Sequence, residues 1–185
     1  SQSVTTTYTY NALGKVLTTT DPLGKVTTYT YDAKGNLLTT KDALGNVTTN
    51  TYDAAGNLTS AKDADGKTTS YTYDGYGNIT KQTDAGGNIK SYTYDANGNK
   101  LKDTDARGNV TNYTYNAKGN VLSTTDALGN VTRTEYDKAG NKTADVDALG
   151  NRKAYVYSAA NNLIRTNYPD GTLTMAAYDA EGNRI

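Results

Sequence analysis

Tyr10, Tyr31, Tyr52, Tyr73, Tyr94, Tyr115, Tyr136, Tyr157 and Tyr178 recur at a constant spacing of 21 residues. A strict period of this length marks a repeat architecture, in which each unit buries its faces against its neighbours. Function in such a chain is expected from the assembled surface rather than from a single pocket.

Glycine supplies a second lattice at the same period, in two series offset by 10 and 11 residues, and Gly35, Gly45 and Gly87 are representative members. One lattice position, Asn161, is not glycine, and asparagine is among the residues that best tolerate positive φ. The lattice therefore predicts a left-handed backbone at each of these places. Three residues earlier stands Asp or Asn at nearly every turn, as in Asp32-Ala33-Lys34-Gly35-Asn36. An Asx cap, two right-handed residues and a left-handed glycine describe a type I turn with a G1 bulge, a three-residue hairpin loop. Pro22 and Pro169 fall directly after the capping position, where a φ fixed near −65° suits a type I turn.

Between the turns run short segments such as Val47-Thr48-Thr49-Asn50-Thr51-Tyr52, rich in β-branched and aromatic residues and too short for helices. The expected fold is all-β: 21-residue repeats, each of two short antiparallel strands and two such turns, giving up to about 18 strands. Because adjacent strands rotate by roughly 20–25°, the meander is expected to coil, as a spiral shell or fibre segment. A two-sided β-solenoid with 21 residues per coil is the alternative, disfavoured because the turn type reverses the chain into an antiparallel partner. Alternation places Tyr29 and Tyr31 on one face with Val26, Thr28 and Thr30 on the other. Leu17, Leu38, Leu101 and Leu122 on the intervening strands are candidates to bridge the rings.

Nineteen basic and nineteen acidic side chains cancel, and no run of like charge occurs, so the electrostatic footprint of a nucleic-acid binder is missing. No stretch approaches the ~20 apolar residues that span a bilayer as a helix, so no membrane insertion is expected. The absence of His and Cys removes the commonest general bases and transition-metal ligands. Nearly all Asp lie on the turn lattice, where capping explains them, so the chain reads as non-enzymatic, without cofactor or metal. With no Phe or Trp, the tyrosine lattice is the expected packing element. The other reading of that aromatic face is stacking on sugar rings, which would make the chain a surface adhesin or carbohydrate-binding module.

The stretch Tyr31-Asp32-Ala33-Lys34-Gly35-Asn36-Leu37-Leu38-Thr39, followed by Asp42-Ala43-Leu44-Gly45-Asn46-Val47-Thr48, resembles the RHS/YD repeat, and the likeness extends over essentially all 185 residues. The resemblance implies bacterial secreted or cell-surface polypeptides, Tc toxin C components and teneurins, in which β-hairpin repeats coil into a shell. In the bacterial toxins that shell encloses a cytotoxic domain. Two departures stand out: Asn or Lys follows the turn glycine in most copies, where the family often has Arg, and no conserved-core segment of the kind that ends an RHS shell with Asp-Pro-x-Gly and self-cleaves is present. The chain thus resembles wall without plug, protease or cargo.

Residues 1–185 are expected to form a single array of about eight and a half repeats, a segment of a longer one. Residues 1–7 enter a strand with no turn before them, and Asn183-Arg184-Ile185 leave a turn into an unfinished strand. Open edges are therefore expected at both ends, available to further repeats or further copies of the chain. An enclosed toxin domain is a further partner implied by the resemblance. Finally, Leu23, Leu44, Leu128 and Leu149 occupy the tips of one turn series. Either they fold back over adjacent strands, or they form an apolar contact rim facing another layer or chain.

Overall fold

The computed structural model describes residues 5–185, in two compact units, one extending to Ser91 and the other running from Tyr92 to Ile185. Among the described residues there are 17 strands and no helix. Five-residue strands such as β2 (Val16–Thr20), β4 (Leu37–Lys41) and β6 (Leu58–Lys62) alternate with six-residue strands such as β3 (Val26–Tyr31), β5 (Val47–Tyr52) and β7 (Thr68–Tyr73). The first strand described is β1 (Thr7–Tyr10), so the strand entry expected over residues 1–7 lies partly outside the described residues.

Consecutive strands pair antiparallel within each unit, from β1 against β2 onward in the first and from β10 (Lys100–Thr104) against β11 (Val110–Tyr115) onward in the second. That is the meander; a solenoid would stack strands in parallel. The last strand is β17 (Leu173–Met175), and after it the chain forms only an isolated bridge between Tyr178 and Arg184 in place of an eighteenth strand.

The turns carry the hydrogen bonds that their residues dictate. At Asp32–Asn36, Gly35 N donates to Asp32 O at 3.1 Å and Asp32 N donates to Asn36 O at 3.0 Å. The same pair closes the turn on the opposite edge, from Gly45 N to Asp42 O and from Asp42 N to Asn46 O. Glycine takes φ of 85° at Gly35, 89° at Gly45 and 80° at Gly87, and Asn161 takes 61°. These values lie in the region where a Cβ is disfavoured.

Only Ala144 and Thr166 are buried among the described residues. Within each unit the described strands contact only their sequence neighbours, so each face is covered chiefly by its own side chains. Stability must come from many half-buried contacts between neighbouring strands, as in other repeat proteins.

Candidate functional site

Most turns are held by a carboxylate clamp. Asp84 Oδ1 accepts from Gly86 N at 2.8 Å and Asn88 N at 2.9 Å, while its Oδ2 accepts from Asn88 Nδ2 at 2.9 Å. The Asn88 amide, followed by the backbone donors, holds the Asp84 carboxyl below its ordinary value of 3.8. Asp32, Asp42, Asp53, Asp74 and Asp95 are lowered in the same way, each chiefly by the Asn four residues on. The acidic side chains of the repeat are thus occupied in shaping backbone, and no group of three metal-ligating residues occurs among the described residues.

The lattice tyrosines meet a defect that the sequence does not announce. In the hairpins that begin at Tyr10, Tyr31, Tyr52, Tyr73, Tyr115, Tyr136 and Tyr157 the register slips by one residue: Thr30 pairs with Thr39, but Tyr31 pairs with Leu37, leaving Leu38 as the extra residue of a bulge. A bulge turns backbone groups out of the ladder, and those groups need partners. The next repeat supplies one. Tyr52 Oη donates to Leu37 O at 3.0 Å, and Tyr31 to Val16 O, Tyr73 to Leu58 O, Tyr115 to Lys100 O, Tyr157 to Lys142 O and Tyr178 to Leu163 O make the same bond at 2.7–3.0 Å. Tyr94 and Tyr136 occupy the same half-buried position at their strand ends, whereas Tyr10 is 58% exposed. Burial, with smaller contributions from neighbouring charges, raises the phenols of Tyr73 and Tyr115 above their ordinary 10.0.

The opposite face is lined by hydroxyls. Thr9, Thr30, Thr51 and Thr114, each the residue before a lattice tyrosine, meet a hydroxyl across the strand, as in Thr30 Oγ1 with Thr39 Oγ1 at 2.6 Å and Thr114 Oγ1 with Ser123 Oγ at 2.7 Å. The row breaks at Glu135, which accepts from Arg152 Nη2 at 2.7 Å. Glu135 pairs across the strand with Ala144, the residue that is fully buried.

On the tyrosine face of the second unit, Asp145 accepts from Tyr155 Oη at 2.7 Å and from Lys142 Nζ at 2.9 Å. Burial, then the bond to the Asp145 carboxylate, pushes the Tyr155 phenol up to about 12. Lys153 Nζ lies 5.6 Å from the Tyr155 ring centre and 4.8 Å from that of Tyr168. The sequence reading missed this polar group, although Thr134, standing between Tyr113 and Tyr155 in a mostly tyrosine column, was a visible signal.

The tip leucines do not fold back. Leu23 and Leu44 are 82% and 84% exposed in the first unit, and Leu128 and Leu149 are each 88% exposed in the second. Of the candidate bridging leucines, Leu101 and Leu122 are also exposed, at 39% and 37%. The two edges of each unit differ. On the tyrosine-side edge a Cβ at Gly119 would lie 3.2 Å from Asn99 Oδ1, and one at Gly77 would lie 3.7 Å from Asn57 Oδ1, so successive turns touch. On the leucine edge a Cβ at Gly45 or Gly129 would meet nothing within 4 Å.

The RHS repeat family model matches residues 10–47, 52–89, 76–110, 94–131 and 115–152. No curated protein matches the chain. Among solved structures, the crystal structure of TcdB2-TccC3 without its hypervariable C-terminal region aligns with a TM-score of 0.74 at 20% identity, over 97% of this chain and 11% of that one. The Tc holotoxin pore of Photorhabdus luminescens, with a mutated TccC3, aligns with a TM-score of 0.59 at 17% identity, over 97% of this chain and 14% of that one. At such identities the likeness is one of fold. Five family matches spread over most of the length fall on the units whose turns, bulges and tyrosine bonds are described above, and the chain belongs to the RHS repeat family.

Proposed function

We propose that the chain is a structural wall segment: a single array over residues 1–185, part of a longer array, forming an extracellular shell or fibre. The observation that carries this reading is the lattice itself. The Asp clamps and the lattice tyrosine hydroxyls, both repeated along the chain, are spent on holding backbone, and the surface that remains is a neutral, regular sheet. Family membership and the fold shared with the TcdB2-TccC3 structure support a shell of toxin type. In this reading the partners are neighbouring repeats, meeting through sheet edges and the rim of Leu23, Leu44, Leu128 and Leu149. An enclosed toxin-type domain is the cargo, the location is secreted or on a bacterial surface, and the role is architectural rather than catalytic.

The test is cargo protection. A protease-sensitive reporter domain placed downstream of the chain within a full-length RHS polypeptide should resist digestion. Replacing the chain by a flexible linker of equal length should expose the reporter. Equal digestion of both would show that this segment contributes no wall.

A further inference from the structure

Three departures from the repeat meet in one cleft of the first unit. Asn50 stands in the column where Tyr29, Tyr71, Tyr92, Tyr113 and Tyr155 present rings. Across the strand from it is Ala61, the smallest residue of a column that elsewhere holds Thr40, Gln82, Asp103, Thr124 and Asp145. The next residue in the row is Thr69. Beyond them, Lys67 replaces the asparagine that clamps the neighbouring turns at Asn46 and Asn88. Loss of a ring, loss of a side chain and loss of a clamp at one place open a cleft of about 260 Å³ lined by Thr48, Asn50, Ala61, Asp63, Lys67 and Thr69.

The chemistry of its lining is specific. Asp63 Oδ1 accepts from Asp65 N at 3.0 Å and Lys67 N at 2.9 Å, but no asparagine amide caps Oδ2, which is left to accept from a ligand. Asn50 Nδ2 donates to Leu37 O at 3.1 Å, so its amide oxygen is the second acceptor. The hydroxyls of Thr48 and Thr69 both donate and accept, and the methyl of Ala61, which pairs across the strand with Thr69, adds a small apolar patch to the lining. Two lysines, Lys62 and Lys67, are among the lining residues, beside the one acidic residue, Asp63. A mixed donor and acceptor wall around a small apolar patch suits a polyhydroxylated ring, and the excess of cation favours a ring carrying a carboxylate. The volume lies below the roughly 300–1,000 Å³ of clefts that hold drug-sized ligands, which limits the occupant to one ring.

We propose that this cleft binds a single acidic pyranose, a uronic acid, with Asp63 and Asn50 accepting from ring hydroxyls and Lys67 meeting the carboxylate. The proposal is independent of the wall reading, because it rests on where the repeat is broken rather than on where it is kept.

The experiment is a backbone amide NMR titration of the whole chain with glucuronate, with glucose as the neutral arm and acetate as the charge-only arm. Saturable shifts at the amides of Asn50, Ala61 and Thr69 are expected with glucuronate, with a Kd of about 1–10 mM, in the range of a few kcal/mol appropriate to one small ring. Glucose is expected to bind at least about fivefold more weakly, a loss of one charge-assisted contact, and acetate to give no saturation at these amides. Asn50→Tyr restores the residue of the neighbouring repeats and should fill the cleft, abolishing the shifts while leaving the rest of the spectrum in place. Ala61→Gln, the residue at Gln82, serves as a second filling variant should Asn50→Tyr fold poorly. Absence of localised shifts, shifts reproduced by acetate, equal affinity for glucose, or a filled variant that titrates like the parent would each overturn the proposal.

Discussion

Tyr73 Oη donates to the carbonyl of Leu58 at 2.7 Å, and Leu58 is itself the residue that pairs with Tyr52 where the register slips. One tyrosine thus seals the bulge made beside the tyrosine before it. Tyr73→Phe keeps the ring and removes the donor, leaving a half-buried carbonyl without this partner. The expected loss is about 0.5–1.5 kcal/mol, read as a lower urea midpoint at unchanged m-value. Tyr73→Ala also removes the ring and should cost more, by about 1–2 kcal/mol for a half-buried aromatic. A Phe variant as destabilised as the Ala variant would mean that the hydroxyl, not the ring, carries the site.

Asn161 tests the turn lattice from its exception. It holds φ of 61°, and its Oδ1 accepts from Asn141 Nδ2 at 2.9 Å. Glycine would relieve the backbone but lose this bond, so Asn161→Gly should be close to neutral. Asn161→Ala loses the bond and keeps the strain, and should unfold about 1–2 kcal/mol more easily than the glycine variant. Thermal or urea unfolding of the pair checks the difference.

The Asp clamps set the response to acid. Their folded pKa values are depressed below the ordinary 3.8, so the unfolded chain binds protons first as pH falls. The stability they contribute is fully present above that value and is lost as pH drops through the folded pKa values. Urea midpoints should therefore be flat from neutral pH to about 5 and decline below about 4. Asn116 already closes its turn through an amide oxygen that accepts from Lys118 N and Asn120 N, so Asp84→Asn should keep its turn and shallow the acid decline. An identical pH profile for parent and variant would remove Asp84 from the effect.

The tip leucines separate folding from contact. Leu128 and Leu149 are 88% exposed, so changing both to Ser should leave the unfolding midpoint within about 0.5 kcal/mol of the parent. If the rim meets another layer or chain, the same double variant should lower self-association in sedimentation velocity. Loss of stability instead would place these side chains in the packing of their own unit.

Much of the fold was legible because its determinants are local. The glycines, their Asx partners and the two prolines declare a turn within five residues, and Val, Thr and Tyr between them leave no room for a helix. What stayed hidden required knowledge of register. The slip at Tyr31 and Leu37 depends on how one strand lies against the next, and only that offset brings a phenol onto a carbonyl 15 residues back. Leu23 shows the same limit from another side: two outcomes were open to it, and exposure of 82% decides between them. The cleft at Asn50 was present in the sequence as a broken column. Its meaning depended on Ala61 and Lys67 breaking their own columns beside it.

The tyrosine bonds reach back 15 residues, and the bonds between successive turns, such as Lys118 Nζ to Lys138 O and Asn141 Nδ2 to Asn161 Oδ1, span 20. Each copy therefore consults only its immediate predecessor. Excising the 21 residues from Tyr31 through Thr51 would bring Tyr52 directly after Thr30, with every partner type still in phase. Copy number is then a quantity that unequal recombination can change freely, so a gene built this way can lengthen or shorten its product one period at a time without ever passing through a misfolded intermediate length.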